Sequence, residues 1–351
     1  MRKDVDLRFT LPAGPHATHA VLDMLEGKVA ATQVTSLSID DRAREAAQGN
    51  AQAQYELAKA LTSGAPLAEK NREAVKWLRK AVEKEHAQSE HLLGILIARG
   101  QGARPNPKMA HALFRSAATM GFAPAQYDLA RSLLWGFGCE TNPREALTWF
   151  RLAAAQGHVL SQKESADAYL VGRGCQVDLR QATSYLKKAV IGGLEEYAYD
   201  LGELYLREDN PVRNESEAIR WISEAARSGD APAQYRLALF YESGRIREPR
   251  PNTGLGWAAR AADNGFIPAY LLSSKILEKN SKATSDAMEK AYALTLRALH
   301  LSDATTDERL KNECTLRSRE LELTLAASQI EKAKVLSQTQ QSVTQLLALG
   351  R

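Results

Sequence analysis

Much of what this chain could have been is excluded by what it lacks. It has three cysteines, too few for a disulfide framework, and no two are spaced for a zinc site. Its longest nearly unbroken apolar run, Leu92 to Ala98, is far short of the roughly 20 residues that cross a bilayer, so no transmembrane segment is expected. Behind Arg2 and Lys3, the residues Asp4, Asp6, Arg8, Pro12 and Pro15 break any secretory apolar stretch, so the expected address is the cytoplasm. The formal charge is only +4, with basic and acidic residues interleaved. No basic block of the kind that anchors to nucleic acid or anionic lipid is apparent. Aromatics are 7% and β-branched residues are sparse.

What is abundant is alanine, 56 residues, and leucine, 45. Both lose little on entering a helix, whereas β-branched residues favour strands, so the composition predicts a helical protein. The length allows two or three ordinary domains or one repeat array.

The alanines are periodic. Tyr55-Glu56-Leu57-Ala58 returns as Tyr127-Asp128-Leu129-Ala130, Tyr199-Asp200-Leu201-Gly202 and Tyr235-Arg236-Leu237-Ala238. These are multiples of a 36-residue shift, with weaker copies at His91 and Lys163. A small residue recurs at Ala74, Ala110, Ala146, Ala182, Ala218 and Gly254, and a large one three positions later, as at Trp77, Trp149, Trp221 and Trp257. Alanines follow at 81, 117, 153, 189, 225 and 261, and a glycine closes most units, from Gly121 to Gly265. Six units run from about Ala51 to Phe266 without insertion or deletion.

Each unit reads as two helices. Helix A is closed by Gly64, Gly100, Gly136, Gly172 or Gly244, a residue suited to the left-handed end position. Helix B opens at Asn106-Pro107, Asn142-Pro143, Asp178 or Asn214, the residues that cap first-turn N–H groups. Asn142…Glu145, Asp178…Gln181 and Asn214…Glu217 have capping-box spacing. Alanine where helices cross lets their axes approach, and stacked pairs share one core.

These residues resemble the Sel-one-like repeat, a relative of the tetratricopeptide repeat. The third unit carries the likeness in full: Ala125-Gln126-Tyr127-Asp128-Leu129-Ala130, Gly136-Phe137-Gly138-Cys139, Asn142, Ala146, Trp149, Ala153-Ala154 and Gly157. The resemblance implies an all-α fold, a right-handed α/α superhelical solenoid. The fifth unit departs, with Leu206 to Arg213 in place of the glycine turn, and the sixth has an Arg/Pro-rich linker, Arg245 to Pro251.

The expected organisation is an N-terminal segment, 1–36, partly helical; a solenoid, 37–302, with worn units at each end; and a C-terminal helix, 303–351. Asp40 to Asn50 reads as a leftover helix B, Ala20 to Gln33 as its degenerate helix A, and Ile267 to Ser302 as a worn seventh unit. From Ala269 to Leu349 there is neither glycine nor proline. A Thr305…Glu308 capping box could open one helix running to about Leu349, roughly 65 Å long. Leu316, Leu323, Ile330 and Leu347 give it an interrupted heptad, so it caps the last repeat or mediates self-association. The stretch from Ser337 to Gln345 reads as prone to fray.

Motifs for chemistry are scarce. His16 and His19, and His86 and His91, lack partners at ligand spacing, so no metal is expected. His91 stands in the tyrosine column and reads as a packed or partly exposed histidine. Cys139 and Cys175 hold equivalent positions in neighbouring units. Helix pairs stack about 10 Å apart, beyond disulfide reach, so both should be free thiols. The Gly-x-Gly pairs lie between helices rather than after strands and are not nucleotide loops. No nucleophile sits beside a recognisable base. No enzyme activity and no cofactor are expected.

In tetratricopeptide-like arrays helix A lines the concave wall, and the resemblance implies the same here. The columns beside the repeating tyrosine and leucine vary. They bring Leu92, Ile95, Asp128, Arg131, Trp135, Glu164, Asp167, Asp200 and Glu203 towards the groove. The acids among them, bordered by Trp135, Ile95 and Leu92, fit a basic segment with an apolar anchor. The expected function is therefore a non-catalytic adaptor that binds a protein or peptide, of the bacterial kind by resemblance. The alternative is a saccharide-binding or cell-envelope-associated regulatory module. Nucleic acid is not expected, because the groove columns are acidic.

Overall fold

The computed structural model describes residues 39–63, 68–246, 253–280 and 284–347 of the chain. The expected helix at Ala20 to Gln33, His16, His19, Gly64 and most of the Arg245 to Pro251 linker lie outside the described residues. Every regular element described is helical.

The chain forms two compact units that part between Leu194 and Glu195, inside the stretch read as one array. The first contains α1 (Ile39–Ala47), α2 (Ala51–Thr62), α3 (Ala68–Val82), α4 (Ala87–Arg99), α5 (Pro107–Thr119), α6 (Ala123–Trp135), α7 (Pro143–Ala155), α8 (Val159–Val171) and α9 (Leu179–Ile191). The second opens with a 3-10 turn, Glu195–Tyr197. It continues with α10 (Ala198–Leu206), α11 (Glu215–Arg227), α12 (Ala231–Glu242), α13 (Thr253–Asp263), α14 (Ile267–Asn280), α15 (Ser285–Ser302), α16 (Glu308–Glu322), α17 (Ala327–Gln338) and α18 (Val343–Leu346). Within each unit, each helix from α1 to α9 and from α10 to α16 packs on the next in sequence. The stretch Ile267 to Ser302, read as a worn seventh unit, contains the helix pair α14 and α15, and the stretch Asp40 to Asn50, read as a leftover helix B, contains α1 but for its first residue.

The periodic alanines stand where helices cross. Ala74, Ala110, Ala117, Ala153, Ala189 and Ala218 are fully or almost fully buried. In the helix A column of Ala58, Ala130, Ala166 and Ala238 two positions hold glycine, and space is the reason: a Cβ on Gly94 would collide with the Phe114 ring, and one on Gly202 with Ile222. The leucines Leu57, Leu93, Leu129, Leu201 and Leu237 fill the core beside them. Each contributes about 2 kcal/mol by leaving water.

Helix ends follow the sequence closely. The side chains of Asn106, Asn142, Asp178 and Asn214 accept hydrogen bonds from the N–H groups of Met109, Glu145, Gln181 and Glu217. The second half of the expected capping boxes is replaced. The N–H of Asn142, Asp178 and Asn214 goes back to helix A, to the carbonyls of Leu133, Tyr169 and Tyr205 at 2.7, 2.9 and 3.0 Å. This leaves the acidic third residue for the tryptophan one turn on. Trp149 donates its indole N–H to Glu145 at 3.3 Å, and Trp221 donates to Glu217 at 3.0 Å.

Two further devices join successive repeats. Buried Gln54, Gln126, Gln162 and Gln234 each donate a side-chain amide hydrogen to the carbonyl eight residues earlier, on the end of the preceding helix B. A ring also packs on a ring 31 positions later: Tyr55 on His86, His91 on Phe122, Tyr127 on His158 and Tyr235 on Phe266, with centroids 5.0–5.6 Å apart. In the fifth repeat Asn210 substitutes for the missing glycine turn. It is buried, donates to the Leu204 carbonyl at 2.7 Å, and accepts from the Val212 N–H.

The C-terminal region departs from its expectation. It is not one helix of 65 Å but three pieces, α16, α17 and α18. The cap of α16 is Asp307, whose carboxylate accepts from Arg309 and Leu310; Thr305 instead donates its hydroxyl to Ser302. The turn after α16 is closed by Gln329 accepting the Ala326 N–H, and the start of α18 by Ser342 and Gln345 bonding reciprocally. Val343 and Leu346 then pack against Ala259 and Ala262 of α13 and Ala269 of α14. Ile330 and Leu347 are likewise packed inward. Of the heptad, Leu316 and Leu323 stay exposed.

Candidate partner-binding face

The residues expected to line a groove lie on α4, α6 and α8 in the first unit and on α10 in the second. Helix periodicity places 92 and 95, 128, 131 and 135, and 164 and 167 along corresponding sides of successive A helices. Their exposure differs sharply. Trp135 is 40% exposed and ends α6, and Val171, its counterpart on α8, is 51% exposed. Leu92, Ile95, Glu164 and Asp200 are half-buried. Asp128, Arg131, Asp167 and Glu203 are buried, so they are not open groove surface.

The buried charges are held by partners. Asp128 accepts from His91 Nε2 at 2.7 Å, and the His91 ring stands edge-on to Phe122. Arg131 lies over the Tyr127 ring, 5.5 Å from its centre. Lys163 pairs with Asp167 at 2.6 Å. In the second unit Arg236 pairs with Glu203 at 2.8 Å. Burial pushes the carboxyls of Glu164, Asp167 and Glu203 above the usual carboxylate range. The Lys163 ammonium opposes the shift at Asp167, and Arg236 opposes it at Glu203. Burial also lifts the Tyr127 hydroxyl. Removing one partner of such a pair strands a buried charge, so these ion pairs are structural commitments.

Sequence reasoning missed His91, Lys163 and Arg236, because it compared residues down columns 36 apart. The pairs run obliquely, Asp128 to His91 at a separation of 37 and Arg236 to Glu203 at 33. A search for complementary residues a few positions off the repeat length would have found His91 and Arg236, and pairing four residues apart on one helix would have found Lys163. The other expected ligand-type groups have ordinary partners. His86 is bonded to Ser89 and Gln52, and the Cys139 and Cys175 thiols are free and donate to carbonyls of Ser132 and Ala168.

Among the described residues no helix is long and apolar enough to cross a membrane. The chain matches the model of the Sel1 repeat at residues 51–86, 87–122, 123–158, 160–194, 196–230 and 231–266. Two solved structures are similar to it. One is a Sel1 repeat protein from Oxalobacter formigenes, 27% identical, with a TM-score of 0.53, covering 65% of this chain and 91% of that one. The other is c5321 of uropathogenic Escherichia coli, a protective antigen displaying an SLR fold. It is 19% identical with a TM-score of 0.50, and the match covers 90% of this chain and 97% of that one. No curated protein matches the chain. Six matched repeats, spanning well over half the sequence and folded as successive helix pairs, make this chain a member of the Sel1 repeat family.

Proposed function

We propose that this protein is a non-catalytic scaffold that holds a partner polypeptide on the helix A face of its first unit, around Trp135. Sel1 repeat proteins are generally protein-interaction scaffolds. The observation that carries the site is the exposure of Trp135. Most large side chains of the repeats are packed, whereas this indole lies 40% open with exposed Val171 in the same column one repeat on. Leu92 and Ile95 extend the apolar strip, and Glu164 supplies an acid beside it. The partner that fits is a segment with a large apolar anchor and a basic neighbour. Asp128, Arg131 and Asp167 support this face from beneath; on α10 of the second unit Asp200 is half-buried and Glu203 is buried against Arg236.

An exposed anchor of this kind typically contributes about 2 kcal/mol or more to binding. Trp135→Ala should therefore weaken a captured partner about 30-fold and leave the thermal midpoint unchanged. Leu152→Ala, at a similarly exposed residue on α7, should change neither the affinity nor the midpoint. Equal affinities for wild type and Trp135→Ala would remove the site. A saccharide could also stack on Trp135; soluble glycans that displace the partner would favour that reading.

A further inference from the structure

A second surface emerges on the helix B side of the first unit. Helix α3 carries Arg72, Lys76 and Arg79 at spacings of four and three, one stripe of its face. The turn before α5 brings Arg104 to the same place, and the four cations line one open groove of about 510 Å³. Among the described residues no carboxylate lines this groove. All four side chains are exposed, and none forms an ion pair with another described residue; Arg72 only donates to the carbonyl of Ala68 in its own first turn. The floor is apolar, made of buried Val75 and Ile97 with exposed Met109 at the rim. Glu69 and Glu73 lie in a neighbouring hollow beside Trp77, which Arg72, Lys76 and Arg79 also line, and neither acid comes within ion-pair distance of them. The Trp77 ring is covered by Lys80 at 4.4 Å and its indole N–H reaches Glu73.

We propose that this groove is a separate docking site for an acidic segment of a partner protein that carries one apolar side chain. Like charges are held together in the groove without an ion-pair partner among the described residues, the acids of α3 lying to one side, and a partner's carboxylates would supply the counter-charge. The stripe from Arg72 to Arg79 spans about 10 Å at the helical rise, the length of about three residues of extended chain. The segment therefore needs acids within one such span and an apolar residue to reach Met109. A nucleic-acid strand fits less well. It would leave the apolar floor uncovered, and the groove offers no free aromatic face for a base. The groove uses none of the residues around Trp135, so the two sites fail or stand independently.

The test uses the full chain and a short fluorescein-labelled peptide of Glu and Asp with one central Leu, followed by anisotropy at low and physiological salt. The peptide should bind, more weakly as salt screens the charges. Arg79→Glu with Arg104→Glu should weaken it at least tenfold without moving the thermal midpoint. Replacing the peptide's Leu by Ser, or Met109 by Ala, should weaken it several-fold, whereas Trp135→Ala should have no effect. No binding at low salt, or equal binding by the charge-reversed protein, overturns the proposal. So does tighter binding of a single-stranded oligonucleotide of equal charge, which would make this a phosphate site. Self-association of the chain abolished by the same charge reversals overturns it too, in favour of a second copy.

Discussion

Glu85 stands in the column otherwise held by Gly49, Gly121, Gly157, Gly193, Gly229 and Gly265, and like them it has a positive φ, +55°. A side chain in the left-handed region costs about 1–2 kcal/mol, partly offset because glycine loses more entropy on folding. Glu85→Gly should therefore stabilise the first repeat by about 0.5–1 kcal/mol, seen as a raised thermal midpoint. Glu90 is the odd member of another column, where Gln54, Gln126, Gln162 and Gln234 donate to a helix-end carbonyl. It is buried, one oxygen has no partner, and burial raises its carboxyl above the usual range. Only the protonated form can donate as glutamine does. Its stabilising contribution is therefore complete below the ordinary carboxylate pKa and is lost as pH rises through the raised one. Glu90→Gln should stabilise the fold by about 1–2 kcal/mol at neutral pH, a gain that shrinks on acidification. Denaturant midpoints at both pH values measure this; a gain independent of pH would contradict it.

Within the elements, two glycines of similar dihedral angle do different work. Gly157 closes a helix B with open space where a Cβ would stand. Gly138, the second of its Gly-x-Gly pair, lies against the Pro107 carbonyl at the start of the preceding helix B, where a Cβ would overlap backbone. Alanine should cost about 1–2 kcal/mol at Gly157 from dihedral strain alone, and clearly more at Gly138. Comparable losses would show that repeats do not depend on that close approach. The C-terminal strap is fixed by two side chains. Arg297 donates to the carbonyls of Leu336, Ser337, Thr339 and Gln341, and Asp263 accepts from the backbone of Val343 and Thr344 and the Thr344 hydroxyl. Asp263→Ala should release α18, with hydrogen-exchange protection lost at residues 343–347 and retained in α12. The helix pairs and their caps were legible because asparagine, proline and glycine mark them at a fixed period. The C-terminal breaks were not, because neither proline nor glycine marks them. The Ser342…Gln345 cap is present in the sequence but sits in a stretch whose polarity reads as fraying.

For the molecule, the repeating positions build the core of the scaffold, and the proposed binding face lies in positions that do not repeat. The repeat period marked the alanines and leucines of the core, and it left Trp135 as a residue the core does not need. It did not show that Asp128, Arg131, Asp167 and Glu203 are buried. Their partners His91, Lys163 and Arg236 lie off the repeat period or stand as irregularities within it. Nor did it show the basic groove, because Arg72 and Arg104 meet only after a helix and a turn have folded back. These residues narrow the acidic wall to a smaller apolar strip with Glu164 at its edge. The central claim is that this strip holds a polypeptide. A photo-crosslinking amino acid placed at position 135 in the full chain, with position 152 as the control, tests it most directly in the source cell. The account predicts a discrete polypeptide adduct at 135 and none at 152. No adduct at 135, or the same adducts at both positions, would contradict it.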